Sequence, residues 1–125
     1  MMYGPLRIFP GRLSVSRAFG DIEAKRKKYG GNPLVLNAIP DIKQCKIEEQ
    51  YDFILLGCDG IFDKLSDTQV LKAVWEAARK RYTSTDVSMH TLSGAAVETV
   101  LKLSVDHKTA DNITVVVVCF KNMKK

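Results

Sequence analysis

Two short apolar runs, "DFILLGC" at residues 52–58 and "ITVVVVCF" at residues 113–120, constrain this chain more than any other feature. The first is continuous and apolar, the second rich in β-branched residues, and both predict strands. Between them lie two helical patterns. Ser66 opens "SDTQ", a capping box with Ser66 at the N-cap and Gln69 three positions into the helix. Val70, Leu71, Val74, Trp75 and Ala78 follow at helical spacing, which predicts a helix of about sixteen residues running to near Tyr82. The polar stretch "TSTD" at residues 83–86 breaks that pattern and caps a second helix, which carries Leu92, Ala96, Val100 and Leu103 on one stripe. Two consecutive helices between strands suit a layered α+β architecture better than a βαβ repeat.

Upstream of residue 52 the patterns weaken. Pro10-Gly11 is a turn signal. "LSVSRAFGD" (residues 13–21) alternates at first and then predicts a short helix ended by Gly20. "IEAKRKKYGGNP" reads as a polar, flexible loop, with a charge run, then Gly-Gly, then Asn-Pro. "LVLNAIPDIKQCKIEE" reads as extended segments broken at Pro40, although Ile42, Cys45 and Ile47 alternate imperfectly.

Composition narrows the class. At 125 residues, 46% hydrophobic and 26% charged, the chain is one domain or part of a larger one. No apolar run approaches the roughly eighteen residues of a membrane-spanning helix, so no membrane partner is expected. The start, "MMYGPLRIFPGR", lacks the apolar core of a signal peptide. The three cysteines, Cys45, Cys58 and Cys119, fit neither a zinc site nor a disulfide framework. Cys58 and Cys119 lie in apolar runs and read as buried free thiols of an intracellular protein, cytoplasmic or nuclear. The net charge of +5 is concentrated in "EAKRKKYGG" and in "KNMKK" at the end. No recognition helix or aromatic platform accompanies it, so a solvated basic face, or one that attracts phosphorylated or acidic partners, is expected rather than nucleic-acid binding.

Asp59 closes one predicted strand and Asp111 opens the other. If the strands are antiparallel neighbours, both carboxylates meet at one sheet edge. Close carboxylates repel, and sharing a cation relieves the repulsion. All-oxygen ligands favour Mg²⁺ or Mn²⁺. Asp63 follows a tight turn and is placed to approach the same cation. The plainer reading stands beside this one: Asp-Gly is a turn dipeptide, Asp63 a cap, and Asp111 a loop residue. A phosphoacceptor site of the doubly wound type would want a second Asp two residues after Asp59, where this chain has Ile61.

"LSVSRAFGD", "DFILLGCDGIFD" and "ADNITVVVV" occur in this order between Leu13 and Val118. Together they resemble the motifs of the metal-dependent Ser/Thr protein phosphatases of type 2C, the PPM family. The resemblance implies an α+β fold, a four-layer αββα sandwich with antiparallel sheets. Residues 1–125 would be the C-terminal part of that catalytic domain, with its N-terminal half missing and residues 22–39 as a flap-like segment. By motif, Asp59 and Asp111 resemble core metal ligands and Asp63 a ligand of a further, weaker metal. The implied cofactor is Mg²⁺ or Mn²⁺, two or more per full domain. Asn112 would support its loop, and Arg17 and Asp21 would hold the segment leading into the flap. Lys25, Arg26, Lys27 and Lys28 would meet phosphoprotein substrates or form a solvated loop.

The chain departs from the family pattern in one large respect. It has no "DGH" motif, so the bridging Asp, the proposed general-acid His and the phosphate-gripping Arg are not in this chain. His90 and His107 match neither and read as structural or exposed. The implied reaction is hydrolysis of phosphoserine or phosphothreonine by an activated water, without a covalent phosphoenzyme. The isolated chain is expected to be inactive. The alternative is a non-catalytic regulatory or protein-binding module that retains the fold. Open strand edges and an open apolar face lead to the expectation of a homodimer, a strand exchange, or association with the missing half.

Overall fold

The computed structural model describes residues 6–81 and 87–124. The chain divides into two compact units, Met1–Cys45 and Lys46–Lys125.

The first unit is built from turns. Ile8 and Leu13 exchange backbone hydrogen bonds of 2.8 and 3.1 Å across the Pro10-Gly11 turn. The helix expected to end at Gly20 does not form. Gly20 and Asp21 both take left-handed backbone angles, and the helix begins after them, as α1 at Ile22–Lys25. A 3-10 turn at Lys27–Tyr29 follows, so the expected flexible loop is a folded segment. A four-residue helix has no intrinsic stability, and tertiary contacts hold this one. The Asn32 amide donates to the Ala24 carbonyl at 2.9 Å, and Ala24 is buried. Gly31 lies so close to this turn that a Cβ would sit 2.2 Å from the Glu23 carbonyl oxygen.

The extended segments expected over residues 34–49 reduce to a single bridge, Arg17 with Asn37. Leu36 is fully buried in a turn that Asn32 organises through its side chain and carbonyl. Ile39 and Ile42, at 71% and 77% exposure, bury nothing that would offset the ordering of a strand. Arg17, expected to hold the segment leading into residues 22–39, donates from its guanidinium to the Ile39 carbonyl at 3.1 Å and pairs with Asp41 at 2.6 Å. Asp21, expected to share that task, makes no side-chain cap bond.

The second unit is a helix pair on a small sheet. β1 (Phe53–Gly57) and β2 (Val115–Cys119) pair antiparallel, from Phe53 opposite Cys119 to Gly57 opposite Val115. Four-residue α2 (Asp59–Phe62) follows β1 directly, then α3 (Asp67–Arg81) and α4 (Met89–Asp106). The capping box forms: the Ser66 amide donates to Gln69 Oε1 at 2.9 Å, and the Gln69 amide to Ser66 Oγ at 3.4 Å. The expected cap at residues 83–86, and Tyr82, lie outside the described residues. α4 is capped by Ser88, whose Oγ accepts from the Thr91 amide at 3.1 Å.

Alternation divides the strands. Phe53, Leu55, Val115, Val117 and Cys119 pack on the helices, and Phe53 meets Trp75 edge-on with ring centres 6.4 Å apart. Ile54, Leu56, Val116 and Val118 face the other way and are 38%, 57%, 50% and 47% exposed. The run expected to be a buried strand is therefore buried on one face only. The α3 stripe also shifts: its buried residues are Val70, Ala73, Val74, Ala77 and Ala78, while Leu71 is exposed and Trp75 half-buried. Ala73 and Ala78 join the core from α3, and Leu92, Ala96 and Val100 join it from α4 as expected. Ser104 extends that stripe, its hydroxyl donating to the Val100 carbonyl at 3.0 Å.

Candidate functional site

At the Gly57 end of the sheet the two strands part, and each leads to an acidic residue. Past the last strand pair the Cys58 amide still donates to the Thr114 carbonyl at 3.2 Å. The Cys58 carbonyl has turned away to accept from the Ile61 and Phe62 amides, which starts α2. Asp59 is the first residue of α2, and Asp63 sits four residues on, at its C-cap, with its amide donating to the Asp59 carbonyl at 2.8 Å. That spacing puts both side chains on one side of the turn.

Asp111 arrives from the other direction. The last turn of α4 is closed by the His107 amide on Leu103 and the Lys108 amide on Val105, and Lys108 takes a left-handed angle. The Thr109 amide then donates back to the Ser104 carbonyl at 3.3 Å, which folds residues 109–112 toward α2. Asp59, Asp63 and Asp111 line one surface cleft of about 240 Å³ together with Gly60, Lys64, Thr109 and Ala110. The three residues singled out in the sequence are thus brought to one cleft.

The Asp59 and Asp111 carboxylates are each oriented by the amide that follows. Asp59 Oδ1 accepts from Gly60 at 3.0 Å, and Asp111 Oδ1 accepts from Asn112 at 2.7 Å. Among the described residues no three His, Cys, Asp or Glu groups come close enough to hold one metal ion together. The donor chemistry nonetheless fits a hard divalent cation. Mg²⁺ keeps several of its waters and is commonly held by one or two carboxylates, whereas zinc would want nitrogen or sulfur.

Several residues of this site carried no clear signal in the sequence. Gly60 is buried against Asn112, and a Cβ there would lie 2.1 Å from the Asn112 carbonyl oxygen. The available clue was a glycine beside the motif aspartate, which also reads as a simple turn. Cys58 is half-buried, not buried as expected, and it is engaged. Its thiol donates to the Asn112 carbonyl and accepts from the Thr114 amide, both at 3.2 Å. Cys119 is likewise half-buried, and Cys45 is exposed. Lys64 adds one cationic residue to the cleft wall.

The two histidines do not line this cleft. His90 and His107 are exposed, and the His107 ring nitrogen meets the Leu103 carbonyl at 2.9 Å. Of the basic run, Lys25 donates to the Ala18 carbonyl, Lys28 lies 4.5 Å over the Tyr29 ring, and Arg26 and Lys27 are exposed. A larger cleft of about 510 Å³ lies along α3 and α4, lined in part by Lys72, Glu76, Lys80 and Lys102. Lys72 pairs with Glu76 at 3.9 Å and Lys102 with Glu98 at 2.7 Å, so charges on this face are largely matched within their own helices. No described helix is long and apolar enough to cross a membrane.

A family model described as Protein phosphatase 2C matches residues 5–113. Over 65 residues the chain is 45% identical to Protein phosphatase 2C 1 of Paramecium tetraurelia, which covers 51% of the chain and 22% of that protein. Over 114 residues it is 37% identical to Probable protein phosphatase 2C 22 of Arabidopsis thaliana, covering 89% of the chain and 27% of that protein. Over 121 residues it is 30% identical to Probable protein phosphatase 2C 72 of Arabidopsis thaliana, covering 97% of the chain and 33% of that protein. The chain therefore matches between 22% and 33% of the length of these curated relatives.

Proposed function

The chain belongs to the protein phosphatase 2C family, and on that premise we propose that it supplies part of the catalytic domain of a metal-dependent protein serine/threonine phosphatase. The observation that carries this reading is the convergence of Asp59, Asp63 and Asp111 on one cleft at the end of an antiparallel strand pair. The substrates are phosphoserine and phosphothreonine in proteins. Hydrolysis forms a P–O bond to water and breaks the P–O bond to the side-chain oxygen, which leaves with a proton.

Asp59 and Asp111 would hold Mg²⁺ or Mn²⁺, with Asp63 helping to hold a further ion. Bound there, such a cation supplies Lewis acidity toward phosphoryl oxygens and acidifies a water. The chain's own part is orientation. The Gly60 and Asn112 amides each fix one carboxylate oxygen, and Lys64 contributes positive charge beside an incoming phosphate. The free thiols suit an intracellular, reducing setting.

The half-covered sheet supports the four-layer reading. Helices cover one face, and Ile54, Leu56, Val116 and Val118 leave an apolar face for a second sheet. That sheet, and the ligands missing from the cleft, would come from an N-terminal half of the domain, with residues 22–39 as its flap. The chain alone is then inactive, and associates through its open face with that half or with a second copy. Light scattering that shows only monomer at high concentration counts against self-association.

Calorimetric titration with Mn²⁺ tests the site. Weak binding that disappears in Asp59→Asn is expected, with no hydrolysis of a phosphothreonine peptide by the chain alone. Brisk Mn²⁺-dependent hydrolysis would overturn the inactivity. A folded chain that binds no Mn²⁺ would favour a non-catalytic module that retains the fold.

A further inference from the structure

The point where β1 becomes α2 holds an unusual substitution of bonding partners. In a regular antiparallel pair, every second pair of opposed residues exchanges two backbone hydrogen bonds, and the bond of the Cys58 amide to the Thr114 carbonyl marks theirs as such a pair. Cys58 and Thr114 are the next opposed pair after Gly57 and Val115. The Cys58 amide makes its bond to the Thr114 carbonyl, but the Cys58 carbonyl is committed to Ile61 and Phe62. The Thr114 amide is instead taken by the Cys58 thiol sulfur at 3.2 Å, and the same thiol donates to the Asn112 carbonyl at 3.2 Å. One sulfur atom thus replaces a ladder carbonyl and adds a second tie. That second tie reaches the residue that orients Asp111. Gly60 presses on the same Asn112 carbonyl from the other side of Asp59.

We infer that Cys58 is a positioning residue for the cation site: its thiol latches the Asp59 corner to the Asp111 loop and fixes the two carboxylates relative to one another. The inference rests on the proposed cation site, but the latch itself is a property of the metal-free chain. A thiol is only a weak donor and acceptor, yet it reaches both partners here. Without it, the backbone bond that remains among the described residues beyond the Gly57–Val115 pair is that of the Cys58 amide to the Thr114 carbonyl. The two carboxylates then sample a range of separations, and ordering them again on cation binding costs affinity.

The test uses the full chain and two substitutions, Cys58→Ala and Cys58→Ser, below the melting temperature of each. Alanine removes both bonds; serine keeps a donor and an acceptor on a shorter reach. Without metal, the Thr114 amide should exchange with solvent faster in Cys58→Ala and recover in Cys58→Ser. With Mn²⁺ as the probe, Cys58→Ala should weaken binding about tenfold, the low end of what losing an outer support costs, and Cys58→Ser should restore most of it. Unchanged Thr114 exchange in Cys58→Ala overturns the latch, and unchanged Mn²⁺ affinity despite faster exchange overturns its role in positioning. If the wild-type chain binds no Mn²⁺, the cation reading fails on its own and the positioning role with it.

Discussion

The two units of this chain are held by different physics. Lys46–Lys125 is organised by periodicity: two amphipathic helices bury Val70, Val74, Leu92, Ala96 and Val100 against the inward face of a strand pair. Met1–Cys45 buries only Ala24, Gly31 and Leu36 among its described residues, and turns together with the side chains of Arg7, Arg17, Asn32 and Asn37 tie its backbone. Apolar burial is spread over many contacts and tolerates local error. Turn geometry depends on single positions and fails at them.

That contrast can be broken in four places. Leu92→Ala has the largest expected effect, about 3 kcal/mol of lost stability in urea unfolding followed by Trp75 fluorescence, because it opens a cavity at a fully buried site. If Leu36→Ala proved equally costly, the distinction between the units would not hold. Gly31→Ala comes next. Its methyl meets backbone at 2.2 Å rather than a side chain that can swing away. The strain of such a clash runs to about 2 kcal/mol, and amide exchange over residues 22–36 should accelerate with it.

Arg17→Ala sharpens the comparison at a smaller scale. The Arg17–Asp41 pair is well exposed, and such pairs contribute about 0.5 kcal/mol. The bond to the Ile39 carbonyl is lost with it, so the readout is faster exchange near Asn37 with little change in global unfolding. Arg17→Lys, which keeps charge but not the forked geometry, should recover only part.

The smallest effect lies on α4. A hydrogen bond from Lys102, and then its charge, hold the Glu98 carboxyl below its ordinary range. A depressed carboxyl stabilises the fold above its unfolded-state value, and the contribution is lost as pH falls through the folded-state value. Glu98→Gln should therefore differ slightly from wild type in thermal midpoint near neutral pH and match it in acid. Because the pair is exposed, high salt should shrink the difference. A difference that grows in acid would reverse the assignment.

How much could be read from the residues follows the same division. The capping box at Ser66–Gln69, the α4 stripe and the two strands were legible because their signals are local. The short helix ended by Gly20 and the extended segments around Pro40 were misread, because in Met1–Cys45 backbone angles at Gly20 and Asp21 outweigh side-chain pattern. Helical spacing put Leu71 and Trp75 on one stripe with Val70, Val74 and Ala78; Trp75 packs half-buried against the core, whereas Leu71 is exposed and Ala73 and Ala77 are buried instead.

The sequence by itself determined that two strands would flank two consecutive helices, that Asp59 would close one strand and Asp111 open the other, and that Asp63 would follow a turn. Helical and strand periods, a cap and three motifs suffice for that, since each is a relation between near neighbours. Only the tertiary structure decided which strand residues face the helices and that Gly60 would pack against the Asn112 carbonyl. It also decided that the Cys58 thiol would take the place of a ladder carbonyl. The two thiol bonds depend on partners 54 and 56 residues away, and no local pattern encodes which backbone group a side chain will meet across that distance.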